Sequence, residues 1–224
     1  MYFSIFLLLL IYVKLTFKYN LNEDIKNFFG ASKSLGHSGR QSKIHLLYQG
    51  RYGAELTQEN LKKFINNYVK ENNIDVKEKI KEFQKSWDKI NDEFFKRAEK
   101  IFKVQLPTEQ VDVYLTTNDR CCLSINDNLF FVYVKSDHIK RTAMHELFHF
   151  YTWYAFGKEL KDKNIGKQKY YDIKESLTEI LNLEFEDLIE YPEVGYSEHK
   201  ELRKEIKKYW LKYKDIKKVV EKII

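Results

Sequence analysis

A short segment in the second half of the chain places two histidines and a glutamate at a spacing that suits metal chemistry. His145 and His149 are four residues apart, so on a helix their rings share one face, with Cβ atoms about 6 Å apart. At this separation both imidazoles can bind a single ion at about 2.0–2.1 Å. Glu146 follows the first histidine and can overhang the same site, where a carboxylate can take a proton from metal-bound water. The segment therefore predicts a metal centre with a general base beside it.

A catalytic zinc ion requires three protein ligands and one open position. The third ligand is expected from a separate element, and the next predicted helix, at about residues 168–189, carries Glu175 and Glu179 one turn apart. From the residues alone, either glutamate can complete the site. The opposite interpretation is that the histidines are core residues and the glutamates a solvent-exposed face.

The histidine-bearing helix followed by a glutamate-bearing helix resembles the gluzincin metallopeptidases, the thermolysin-like arrangement. The resemblance covers about residues 110–190 and implies a zincin-like fold, one zinc ion per chain and hydrolysis of a peptide or protein substrate. It makes Glu146 the general base, Glu175 the third zinc ligand and Glu179 the acid that hydrogen-bonds a ligand histidine. The family usually has Asp at the last position and often a shorter interval than the 25 residues between His149 and Glu175. Glu179 therefore stays open as the alternative ligand.

Donors for the developing oxyanion are a further requirement of peptide hydrolysis. Tyr196, His199 and Arg203 stand at i, i+3 and i+7, a spacing that predicts one shared helix face. By resemblance to the downstream Tyr and His of the family, they are expected to serve as oxyanion donors and, for Arg203, as an anchor for a substrate carboxylate. A polar face turned to solvent is the alternative.

The elements that must position these residues follow the order helices, strands, helices, which indicates a single α+β domain over residues 1–224. Thr57 is the predicted N-cap of a helical part over residues 57–104, and the catalytic core is expected at 110–224. Turn-rich connectors predict a meander of antiparallel strands, hence a small and mostly antiparallel sheet; its strands are expected at 111–116, 121–125 and 129–134. The last strand is either an edge that binds peptide, as in the resembled family, or a buried central strand. Ser136 or Asp137 is expected to cap the histidine helix, and Gly157 to end it.

The first thirteen residues form the most apolar part of the chain, with Ser4 the only polar residue between positions 2 and 13. Twelve apolar residues are fewer than the roughly 20 of a spanning helix, and a charged n-region and cleavage site are missing. Alternation at Val13, Leu15, Phe17 and Tyr19 favours a half-buried strand. The alternative is a short membrane anchor that leaves the body of the protein in the cytoplasm.

Composition narrows the class of protein. The net charge of +6 arises from interleaved Lys and Glu, and the Lys-rich stretch 200–222 is typical of a solvated helix face, so no nucleic-acid partner is expected. Cys121 and Cys122 are adjacent, which disfavours a disulfide and predicts free thiols in a reducing, cytoplasmic environment. The sequence thus favours a zinc metallopeptidase, with a metal-binding regulatory or structural protein as the alternative.

Overall fold

A computed structural model describes residues 13–32 and 42–224 and shows a mixed α/β protein in which helices surround one small sheet. The strand or anchor predicted for the N-terminal apolar run falls on residues 1–12, which lie outside the described part of the chain. Among the residues described, no helix is both long enough and apolar enough to cross a membrane.

The sheet has four strands in the order β1-β2-β4-β3. They are Lys14–Lys18 (β1), Gln110–Thr116 (β2), Leu123–Ser124 (β3) and Leu129–Tyr133 (β4). The pairs β1–β2 and β2–β4 are parallel, and only β3–β4 is antiparallel. The prediction of a mostly antiparallel meander was therefore wrong: β4 lies between β2 and β3, and the sheet is mixed.

Polar contacts with the first helix, Leu21–Ser32 (α1), explain this topology. Buried Asp24 accepts hydrogen bonds from the backbone N–H and the hydroxyl of Thr117, at 3.1 and 3.0 Å. Asn27 donates to the carbonyl of Arg120 at 3.0 Å and accepts from the N–H of Cys122 at 2.9 Å. These bonds hold residues 117–122 as a wide loop over α1. The chain consequently does not turn back directly beside β2, and the place next to β2 is taken by β4.

The alternation at the start of the described chain is confirmed as a half-buried strand. Leu15 and Phe17 of β1 are buried and Lys14 is exposed. The outer edge of β1 is covered by a side chain: Gln84 accepts from the N–H of Phe17 and donates to the carbonyl of Leu15, both at 3.0 Å.

The helical part before β2 consists of several short helices. They are Lys43–Tyr52 (α2), Gln58–Glu71 (α3), Val76–Asp88 (α4) and Asn91–Phe102 (α5). The predicted cap is confirmed, because the Thr57 hydroxyl accepts a hydrogen bond from the N–H of Asn60 at 3.2 Å. Asn73, with φ 51°, permits the sharp turn between α3 and α4. Phe83 and Trp87 of α4 and Phe94 of α5 are buried in the core.

Six helices follow the sheet and build the other side of the core. They are Ile139–Thr152 (α6), Lys158–Asp162 (α7), Lys167–Ser176 (α8), Leu181–Glu184 (α9), Lys200–Tyr213 (α10) and Ile216–Ile223 (α11). A 3₁₀ turn, Leu177–Ile180, joins α8 to α9. Neither Ser136 nor Asp137 caps α6, which instead follows His138 without a side-chain cap.

Gly157 does not end the histidine helix as predicted. The chain continues from α6 through a π-helical turn, Trp153–Gly157, into α7. Gly157 has helical backbone angles, and a Cβ atom there would lie 2.7 Å from the Trp153 ring. The position requires glycine because the indole packs on the backbone.

Candidate metal centre

The two histidines of α6 and one glutamate of α8 converge on a common point. The rings of His145 and His149 pack edge to face with centroids 4.5 Å apart. The carboxylate of Glu175 lies between them, 3.2 Å from Nε2 of His145 and 3.4 Å from Nε2 of His149. One potential ligand atom of each residue lies within 4.8 Å of the other two. The structure thus unites Glu175 with two histidines that lie 26 and 30 positions earlier in the sequence.

The chemistry of this group fits a metal ion. Oε1 of Glu175 contacts the ammonium group of Lys174 at 2.9 Å. Oε2 is buried and has no hydrogen bond of good geometry to any residue that the structure describes, and buried oxygens without such partners are rare. Two imidazole nitrogens and one carboxylate oxygen form a known catalytic zinc ligand set with room for an additional ligand.

The charges at the site are strongly coupled. Burial lowers the pKa of His149 to about 3, with the nearby Lys174 adding to the effect, so this ring is neutral. Burial also opposes the charged form of His145, but the contacts of this ring with Glu175 and Glu193 raise its pKa to about 10. Burial alone would raise the pKa of Glu175; the neighbouring histidines and Lys174 hold it well below its usual range.

Glu146 follows His145 on α6, and its carboxyl group has a pKa close to neutral pH. Burial raises the pKa of its carboxyl group to about 7, although the charges of His145 and Lys174 act in the opposite direction. A group that exchanges its proton near neutral pH is suited to acid–base chemistry.

The two glutamates considered as the third ligand, Glu175 and Glu179, have different partners in the structure. Glu175 joins the histidines, whereas Glu179 forms an ion pair with Arg203 at 2.8 Å and accepts a weaker bond from Asn182 at 3.3 Å. The acid beside a candidate ligand histidine is Glu193 and not Glu179: Oε1 of Glu193 lies 3.6 Å from Nδ1 of His145. Glu193 was missed in the sequence because it follows Pro192 in an irregular segment, without a spacing that links it to α6.

The three downstream residues do not share a helix face as predicted. Tyr196 has an extended backbone and precedes the short 3₁₀ turn Ser197–His199, which leads into α10. Tyr196 is 41% exposed and its side chain hydrogen-bonds Tyr171, and Tyr171 in turn hydrogen-bonds Glu175. His199 is buried with Nε2 3.1 Å from Asp172.

Arg203 is also buried, and its guanidinium group is held by the chain itself. It donates to the Thr178 hydroxyl at 2.8 Å and to the Glu193 carbonyl at 2.6 Å, in addition to pairing with Glu179. These contacts favour a role in holding the segment around Glu193 over an anchor for a substrate carboxylate.

Of the two interpretations of the strand before α6, the buried central strand is confirmed. Leu129 and Phe130 of β4 pair with β3 on one side, and the whole strand pairs with β2 on the other. Cys121 and Cys122 are free thiols, as predicted, and burial raises the pKa of both.

Comparison of the chain with protein-family models, with curated proteins and with solved structures gives no significant match.

Proposed function

We propose that this protein is a zinc-dependent metallopeptidase with a zincin-like catalytic core. The observation that carries the proposal is the convergence of His145 and His149 on α6 with Glu175 on α8, with Glu146 next to His145 in the sequence. The ligand set, the general base and their order along the chain agree with the gluzincin resemblance. Glu175 takes the place of the third ligand because Glu179 is bound to Arg203.

In this proposal, His145, His149 and Glu175 hold one zinc ion. A bound zinc ion supplies Lewis acidity towards a carbonyl oxygen and lowers the pKa of a water ligand towards about 7. Glu146 accepts the proton from the attacking water and delivers it to the leaving amine. The Tyr196 hydroxyl, which is linked to Glu175 through Tyr171, is the candidate donor to the developing oxyanion.

Lys174 contributes to the arrangement of the ligands. Its ammonium group occupies Oε1 of Glu175 at 2.9 Å, which leaves Oε2 as the oxygen available for a metal ion. The same contact keeps the carboxylate ionised.

Metal analysis and hydrolysis of a peptide library by the purified protein test the proposal together. We expect about one zinc ion per wild-type chain and per Glu146→Gln chain, with hydrolysis by the wild type alone. His149→Ala is expected to lose both zinc and activity. A wild type without stoichiometric metal, or a fully active Glu146→Gln variant, would contradict the proposal. Zinc without turnover of any peptide would instead support a regulatory or structural metal protein.

A further inference from the structure

The imidazole of His145 lies between two carboxylates. Its Nε2 atom faces Glu175 at 3.2 Å, and on the opposite side its Nδ1 atom faces Glu193 at 3.6 Å. The Glu193 side chain is only 11% exposed, and its second oxygen lies 3.9 Å from the guanidinium group of Arg141. His149 differs, because its buried Nδ1 has no hydrogen-bond partner among the residues described.

The backbone at Glu193 is held firmly against α9. The Asn182 side chain accepts a hydrogen bond from the N–H of Glu193 at 2.7 Å and donates to its carbonyl at 2.8 Å. Arg203 donates to the same carbonyl at 2.6 Å. The carboxylate itself accepts from the N–H of Gly195 at 3.0 Å. Both the backbone and the side chain of Glu193 are therefore fixed in the orientation that faces His145.

Glu179 and Gly195 both contribute to this arrangement through the side chain of Arg203. Glu179 and Thr178 hold the guanidinium group of Arg203 at 2.8 Å each. Gly195 has φ 66°, and a Cβ atom there would lie 2.8 Å from the Arg203 side chain. The chain thus passes close to Arg203 at a point where only glycine fits without strain.

We propose that Glu193, supplied by the segment between α9 and α10, is the positioning residue that orients His145 as a metal ligand. Glu179 acts on the centre only indirectly, by holding Arg203 and through it the backbone of Glu193. This inference rests on the metal site of the proposed function. A carboxylate on the second nitrogen of a ligand histidine fixes the tautomer with the proton on Nδ1 and makes Nε2 a better donor to the metal. The distance of 3.6 Å exceeds that of a hydrogen bond by about half an ångström, so a small shift of the ring completes the contact.

The test compares three variants of the 224-residue chain: Glu193→Gln, Glu179→Gln and the exposed control Glu186→Gln. Zinc affinity is measured by competition with a chromophoric chelator, the ligand field by the visible spectrum of bound Co²⁺, and folding by thermal unfolding without metal. We expect Glu193→Gln to bind zinc about 10–100-fold more weakly, with an altered Co²⁺ spectrum, in a chain that still unfolds cooperatively without metal. Glu179→Gln is expected to lower metal-free stability and to weaken zinc binding less. The control should match the wild type.

Zinc affinity and a Co²⁺ spectrum of Glu193→Gln that equal those of the wild type would overturn the inference. So would a Glu179→Gln variant that keeps its stability but binds zinc more weakly than Glu193→Gln. A wild type that binds no zinc is a distinct result, which overturns the metal site itself. A measurement that needs no variant is ¹⁵N NMR of the zinc-loaded wild type: metal on Nε2 and a proton on Nδ1 of His145 is expected, and the reverse would overturn the assignment.

Discussion

Glu179 and Arg203 form an ion pair of 2.8 Å in which the side chains are only 14% and 6% exposed. The pair connects the 3₁₀ turn after α8 with the beginning of α10. Because Arg203 also holds the backbone of Glu193, one buried guanidinium group joins the three parts of the chain that follow the metal ligands.

Loss of Arg203 alone is expected to destabilise the protein strongly, because it leaves the Glu179 carboxylate without its charged partner. Arg203→Met should lower the free energy of unfolding by about 3–5 kcal/mol. Adding Glu179→Gln should recover part of this loss, since the uncompensated charge disappears. Urea denaturation of the two single variants and the double variant measures the coupling. Strictly additive effects would show that the pair is not energetically connected.

The two glutamates of the α8 region should respond differently to the same change. Glu175→Gln removes a proposed zinc ligand and should reduce affinity by more than the roughly 10–100-fold typical of outer-shell partners. Glu179→Gln should retain about one zinc per chain. Equilibrium dialysis followed by metal analysis distinguishes them, and equal zinc content in the two variants would contradict the assignment of Glu175.

Asp24 should make stability depend on pH in an unusual direction. Burial raises its pKa from 3.8 to about 6, against the opposing effect of its hydrogen bonds to Thr116 and Thr117. The folded protein therefore binds this proton more tightly than the unfolded chain. The protonated Asp24 carboxyl group therefore stabilises the fold fully below about pH 4. This stabilisation, on the order of 3 kcal/mol in the free energy of unfolding, is lost as the pH rises through about 6.

The control for this effect is Asp24→Asn, which does not titrate. The unfolding free energy of the wild type relative to the variant, measured by urea denaturation from pH 4 to 7, should decrease with pH. A difference that is constant or increases with pH would show that the pKa of the Asp24 carboxyl group is not raised in the folded protein.

Gly157 and Gly50 offer a matched pair of glycine-to-alanine changes within helical segments. Gly157→Ala places a methyl group against the Trp153 ring and should destabilise the protein by about 1–3 kcal/mol. Gly50 in α2 has no atom within 4 Å of an added Cβ, so Gly50→Ala should be stabilising by about 0.5–1 kcal/mol. Thermal unfolding of both variants tests the contrast, and equal shifts would argue against close packing at Trp153.

Local patterns predicted the parts of the site that lie on one element. The four-residue spacing of His145 and His149 was sufficient to place them on one helix face, and the alternation around Leu15 was sufficient to identify β1. Glu175 could be proposed only with the help of the family resemblance, because the predicted helix at 168–189 carries six carboxylates. Glu193 could not be found in this way, since its position depends on hydrogen bonds with Asn182 and Arg203, which are distant from α6 in sequence.

The sheet topology escaped prediction for a similar reason. Turn-rich connectors favour hairpins when only neighbouring strands are considered. The contacts of Asp24 and Asn27 with the loop after β2 involve residues about 90 positions apart, so no local pattern reveals them. They separate β2 from the next strand and allow a parallel neighbour in its place.

The contact of Gln84 with β1 has a consequence for the behaviour of the protein in concentrated solution. An exposed strand edge is a template on which the strand of another molecule can pair, and such pairing leads to aggregation. Gln84 uses both ends of its amide group to occupy the N–H of Phe17 and the carbonyl of Leu15. The amide of Asn91 likewise donates to the carbonyl of Val13 at 3.2 Å, so two side chains protect this edge of the sheet against intermolecular pairing.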